Sequence, residues 1–77
     1  MPRIAEFDGI RLYLYFRDHN PPHVHALYGE YEALIVIADG ALLSGELPKK
    51  QVAAVRRYLA SNRDEVTRLW NLGQKEH

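Results

Sequence analysis

Apolar and polar residues alternate with a period of two through most of the first 46 positions, and the period becomes helical after Leu47-Pro48. Ile4 to Phe7 is a short apolar-rich run. Asp8-Gly9 closes it with the dipeptide best suited to a tight hairpin, since type I′ turns need positive φ. From Ile10 to Arg17 the alternation is clean, with Ile10, Leu12, Leu14 and Phe16 on one side and Arg11, Tyr13, Tyr15 and Arg17 on the other. The first set is expected in the core. His23 to Tyr28 reads as a third strand, with His23, His25 and Leu27 opposite in direction to Val24, Ala26 and Tyr28. Gly29-Glu30 turns the chain into Tyr31 to Ala38, the most apolar strand and the one expected at the centre of the sheet. Asp39-Gly40 repeats the hairpin signal before a shorter strand from Ala41 to Glu46.

Pro48 suits the first turn of a helix, and Val52, Val55 and Leu59 follow at helical spacing among the good helix formers Ala53, Ala54 and Ala60. Ser61-Asn62 interrupts this segment. Asn62 with Glu65 three residues later resembles a capping box, which predicts a second helix from Arg63 to about Leu72 burying Val66, Leu69 and Trp70 and ending near Gly73. One long helix is the alternative, because Val52, Val55, Leu59, Val66 and Leu69 nearly fit one stripe. The expected architecture is α+β: an antiparallel meander of about five strands over residues 1–46, then one broken or two helices over 47–73 packing on one face, and a frayed tail at 74–77.

At 77 residues the chain is expected to be one domain, too short to divide its apolar residues between two cores. It has no cysteine, so neither disulfides nor a thiolate zinc site supplement the core, which fits a reducing cytoplasm. The longest apolar run, Ala33 to Ala38, is far below the roughly 20 residues that span a bilayer, and Arg3, Glu6 and Asp8 break the start of the chain before a signal peptide could develop. A cytoplasmic protein without a membrane partner is expected. Net charge is zero but unevenly placed. Residues 1–46 carry three arginines against seven acids, and residues 47–68 carry six cations against two. Such halves suit self-complementary packing in a homodimer, an acidic partner, or a local basic face made by Lys49, Lys50, Arg56, Arg57 and Arg63 for a nucleic-acid backbone. Net neutrality argues against strong nonspecific nucleic-acid binding.

The chemistry concentrates between the second and third strands. Asp18-His19-Asn20-Pro21-Pro22-His23-Val24-His25 holds three of the four histidines, with an acid, an amide and two prolines. Neither proline has an N–H to donate, so no regular ladder runs through this knot. If the histidine face of the third strand matches the Arg/Tyr face of the second, Arg11, Tyr13, Tyr15, Arg17, His23 and His25 share one surface, a juxtaposition that a one-residue slip would destroy.

The order of motifs, from Gly9-Ile10 and the Tyr15 strand through the knot, Tyr28-Gly29-Glu30-Tyr31-Glu32-Ala33, Gly45-Glu46-Leu47-Pro48-Lys49 and the Trp70 helix, resembles the small bacterial family called domain of unknown function 4160. The His-Asn-Pro-Pro-His-Val-His run is the most specific part. The resemblance implies a component of a bacterial two-gene module of toxin–antitoxin type, often beside another small domain of unknown function (2442). It assigns no catalytic residue.

The residues themselves admit three readings of the knot. In a metal-independent ribonuclease, His23 and His25 supply general base and acid, Arg17 and Arg11 hold the phosphate, and Tyr13 and Tyr15 stack on bases. In a metal site, His19, His23 and His25 are the ligands, with Asp18 beside them, because His-x-His on a strand puts both imidazoles on one face. In the third reading, the prolines fix a crossing between strands, the histidines bond backbone groups left unpaired by them, Asp18 and Asn20 act as turn formers whose side chains bond nearby N–H groups, and the Arg/Tyr/His face binds a cognate small protein, antitoxin-like or toxin-like. In the toxin-like reading, His23, His25, Arg17 and Tyr15 carry the function, with His19 and Asp18 positioning the loop. The expectation is a toxin-like or regulatory component acting on RNA or on a nucleic-acid-bound partner, without a cofactor.

Overall fold

The computed structural model describes residues 3–15 and 17–75. Five strands, β1 (Arg3–Phe7), β2 (Ile10–Tyr13), β3 (His23–Tyr28), β4 (Tyr31–Val36) and β5 (Leu42–Glu46), precede one helix, α1 (Lys49–Lys75). The sheet is an antiparallel meander in the order β1-β2-β3-β4-β5, as the alternation predicts. Asp8 and Gly9 both take positive φ, 51° and 77°, which is the type I′ signature of the first hairpin.

Register follows the two-sided pattern. Ile10 faces Tyr28 and Leu12 faces Ala26 across β2 and β3, while Val24 faces Ile35 and Ala26 faces Ala33 across β3 and β4. These residues form one apolar face, and Val55, Leu59, Val66 and Trp70 of α1 close it into a single core with Leu14, Ile37 and Leu47. Each such side chain taken fully out of water contributes about 1.5–3 kcal/mol. Phe7 stacks on Tyr58 with ring centroids 5.1 Å apart, holding the helix to β1. At the other side of the sheet, Arg56 donates from Nε to the Gly40 oxygen at 2.7 Å and Arg63 from Nε to the Ile37 oxygen at 2.9 Å. Two of the basic residues read as a nucleic-acid face thus anchor the helix to the β4–β5 turn.

Five expectations are revised. The central strand is β3, which carries the histidines, and β4 lies beside the edge. Strand β4 stops at Val36 because the β4–β5 connection is longer than a two-residue hairpin: Gly40 N–H returns to the Val36 oxygen, and Asp39 Oδ1 accepts from the Ala41 N–H. Strand β2 ends at Tyr13. Arg17 sits in a left-handed conformation at φ 56°, and its N–H goes to the Gly73 oxygen at 3.3 Å instead of a ladder partner. The helix is kinked at Asn62, where φ is −129° and ψ is 21°, and it continues through Gly73 to Lys75, so Gln74 and Lys75 belong to it. No capping box forms at the kink: Asn62 Nδ2 donates to the Tyr58 oxygen at 2.9 Å, and Glu65 is held by Arg68. The core role read for Phe16, and the fraying read for residues 76–77, fall outside the described residues. Among the described residues no helix is long and apolar enough to cross a membrane.

Candidate functional site

The knot lies at the end of the sheet where β3 begins and the last turns of α1 pass. Its backbone is held by contacts beyond those of the strands. Ile37 N–H donates to the Pro22 oxygen at 3.0 Å, Arg17 N–H to the Gly73 oxygen at 3.3 Å, and His19 N–H to Asp18 Oδ1 at 3.0 Å. The Asn20–Pro21 peptide bond is cis. A loop with two residues that have no N–H is therefore pinned through the Pro22 carbonyl, the Arg17 and His19 amides and the Asp18 carboxylate.

The third strand delivers His23 and His25 from one face toward a single carboxylate oxygen. Asp18 Oδ2 lies 3.1 Å from His23 Nε2 and 3.0 Å from His25 Nε2. Both imidazoles are buried, His23 with 1% and His25 with 9% of its surface exposed. Trp70 of α1 packs beside His23 with centroids 5.3 Å apart, and Tyr15 meets His25 edge-on at 4.0 Å. Burial disfavours the ionised form of Asp18. The hydrogen bond from His25, the His19 amide and the charges at His23 and His25 outweigh it, holding the carboxyl below its ordinary value of 3.8.

One tautomer in this cluster is fixed by chemistry. His23 Nδ1 is 2.7 Å from the Pro21 carbonyl oxygen, which only accepts, so the proton is on Nδ1. A neutral His23 would then aim the Nε2 lone pair at the Asp18 carboxylate. His25 Nδ1 is buried and makes no hydrogen bond within the described protein, the nearest acid being Glu32 Oε2 at 3.9 Å. Leaving a buried polar atom unpaired costs about 1–3 kcal/mol. One potential ligand atom from each of Asp18, His23 and His25, a carboxylate oxygen and a ring nitrogen of each histidine, lies within 4.8 Å of the other two.

The residues singled out by sequence divide accordingly. Asp18, His23, His25 and Tyr15 come together. Arg11 and Tyr13 share the face of His25, opposite Leu27 and His25 respectively in the register. His19 stands outside the cluster, its side chain 95% exposed with Nε2 3.9 Å from Asp18 Oδ1. Arg17 is in the loop, not on the strand face. Lys49, Lys50 and Arg57 are exposed on the helix, away from the knot in sequence, and Arg56 bonds the Gly40 carbonyl. Sequence reasoning missed two neighbours. Helical spacing puts Trp70 in the core and nothing more, and Glu32 is placed near His25 only once Leu27 is known to face Glu32 and His25 to face Leu34.

A small α+β domain with a proline-braced histidine–carboxylate cluster at the sheet end is thus defined. The family model described as domain of unknown function (DUF4160) matches residues 9–71, and the chain belongs to that family. No curated protein and no solved structure matches the chain.

Proposed function

We propose that this protein acts by binding a cognate small protein through the sheet face opposite α1, as the regulatory or toxin-like half of a bacterial two-protein module. One observation carries the reading. Tyr13, Leu27, Leu34 and Val36 lie on that face and stay half-exposed, while the helix packs on the other side. An aromatic and aliphatic centre with a charged rim is the composition of a protein interface.

The rim favours protein over RNA. Arg3 and Arg11 on this face are accompanied by Glu6, Glu32 and Glu46, and Arg3 is already paired with Glu6 at 3.2 Å. A polyanion would meet more acid than base. A ribonuclease at the knot has less support, because a general base and acid must reach the ribose hydroxyl and the leaving oxygen. His23 and His25 both turn Nε2 to Asp18 and lie beneath the surface.

The test is co-expression with the protein encoded beside it, followed by co-purification of the pair. Wild type and a His23→Ala/His25→Ala variant that remains folded should both hold the partner, and Tyr13→Ala/Leu34→Asp should release it with an unchanged circular dichroism spectrum. Growth arrest with RNA cleavage that depends on the two histidines would overturn the reading in favour of a nuclease. Self-association by light scattering that Leu34→Asp abolishes, without partner capture, would reassign the face to a homodimer.

A further inference from the structure

We infer that Asp18, His23 and His25 form a binding site for one divalent transition-metal cation of the Zn²⁺ class, coordinated by Asp18 Oδ2 and by Nε2 of each histidine. This is independent of the partner-binding reading. It stands on how the two imidazoles are oriented.

The first step concerns His23. Its Nδ1–H is committed to the Pro21 oxygen at 2.7 Å, and its Nε2 faces Asp18 Oδ2 at 3.1 Å. Two lone pairs do not face each other at that distance in a buried site unless a cation lies between them. The cation is either a proton, making His23 an imidazolium, or a metal. Metal-bound histidines characteristically ligate through one nitrogen and donate the other N–H to a carbonyl or carboxylate, which is the arrangement of His23.

His25 discriminates between the two. With a proton alone in the cluster, His25 Nε2–H donates to Asp18 and its buried Nδ1 keeps an unpaired lone pair. With a metal on Nε2, Nδ1 carries the proton, and the exposed Glu32 carboxylate, its Oε2 now 3.9 Å away and beyond hydrogen-bond distance, is the nearest acid and has to swing closer to accept it. One cation therefore accounts for both orientations, and it turns the unpaired His25 Nδ1 into a donor that a movement of the exposed Glu32 side chain would satisfy.

Distances decide whether the site has room. Two donors each about 2.0–2.1 Å from a tetrahedral centre lie about 3.3–3.4 Å apart. The two nitrogen–oxygen separations, 3.0 and 3.1 Å, are a few tenths of an ångström short of that. One ligand atom from each of the three residues lies within 4.8 Å of the others, so binding spreads the carboxylate from the imidazoles slightly and brings the two imidazole nitrogens to the same spacing. Two imidazoles and a carboxylate suit Zn²⁺, Co²⁺, Ni²⁺ or Fe²⁺, whereas Ca²⁺ and Mg²⁺ prefer all-oxygen sets. His19, which the sequence offers as a ligand, is outside this set and projects into solvent.

The experiment uses the untagged full chain, stripped with chelator and titrated with Zn²⁺ by calorimetry and with Co²⁺ by visible absorption. Wild type should bind one equivalent, and its long-range proton–nitrogen spectrum should show both histidines ligating through Nε2 with Nδ1 protonated. Asp18→Asn and His25→Gln should lose binding while keeping the wild-type circular dichroism spectrum, and His19→Ala should keep it. Glu32→Gln should weaken it by about tenfold, the size of a lost outer hydrogen bond. No saturable binding of either ion by wild type would overturn the site, as would binding that survives His25→Gln but is lost in His19→Ala. Should a variant fail to fold, the wild-type spectrum alone decides: Nδ1 ligation, or imidazolium signals unchanged by Zn²⁺, refutes it.

Discussion

Arg63 reaches from the helix to the Ile37 carbonyl, 26 residues earlier, with Nε and oxygen 2.9 Å apart. Because β4 ends at Val36, this carbonyl lies just past the ladder and takes its donor from a side chain. Replacing Arg63 by Met keeps the aliphatic stem and removes the charged donor. The loss should be about 1.5–3 kcal/mol in urea denaturation, the range for hydrogen bonds to charged groups. Arg57→Met, at an exposed helix position, should stay within about 0.5 kcal/mol.

Gly45 and Gly29 make a matched pair. Both have positive φ, 80° and 57°, but a Cβ on Gly45 would run into the Glu32 carbonyl and come within 2.9 Å of Ala33 Cα, whereas one on Gly29 meets nothing within 4 Å. Gly29→Ala should cost only the left-handed penalty of about 1–2 kcal/mol. Gly45→Ala should cost more than that and separate β5 from β4. Amide exchange along Leu42–Glu46 is the measurement, and equal protection in the two variants would contradict the steric argument.

Most of the meander is legible from alternation, because a strand with one buried face must repeat every second residue. Residues 23–28 fall in a strand with the predicted sides. What alternation does not carry is where a strand leaves its sheet. The pattern in β2 runs on to Arg17, yet pairing ends at Tyr13, since the following backbone bonds the helix end through Gly73. The kink was visible as Ser61-Asn62, but its stabilising bond was not: an asparagine can cap forward or bond back to the fourth preceding carbonyl, and here it bonds back to Tyr58. For the site, the histidine spacing identified the place. The role of Asp18 as the shared acceptor depends on loop geometry that residue types leave open.

The Phe7–Tyr58 stack joins the first strand to the helix, with planes 20° apart. A double-mutant cycle with Phe7→Leu and Tyr58→Leu should give a coupling of about 0.5–1.5 kcal/mol beyond the area each buries. A coupling near zero would mean that β1 is held by its hydrogen bonds to β2 and by the packing of Ile4 and Ala5 on the core rather than by this ring pair.

Trp70 connects the core to the knot. It is the only tryptophan, it is 3% exposed, and its ring lies 5.3 Å from that of His23. Truncation to Ala should cost about 3–5 kcal/mol. A 77-residue domain has about 4–12 kcal/mol in all, at roughly 0.05–0.15 kcal/mol per residue, so Trp70→Ala should bring the protein near its unfolding threshold. The informative comparison is Trp70→Phe, which keeps an aromatic ring on the core but one of smaller area. If Trp70 also braces the imidazole, the variant should remain folded while His23 loses its fixed tautomer, seen as exchange broadening of its ring-nitrogen signals, with His25 less affected because Tyr15 packs against it at 4.0 Å. Unbroadened His23 signals in a folded Trp70→Phe protein would show that the Pro21 carbonyl and Asp18 hold the ring without help from the helix.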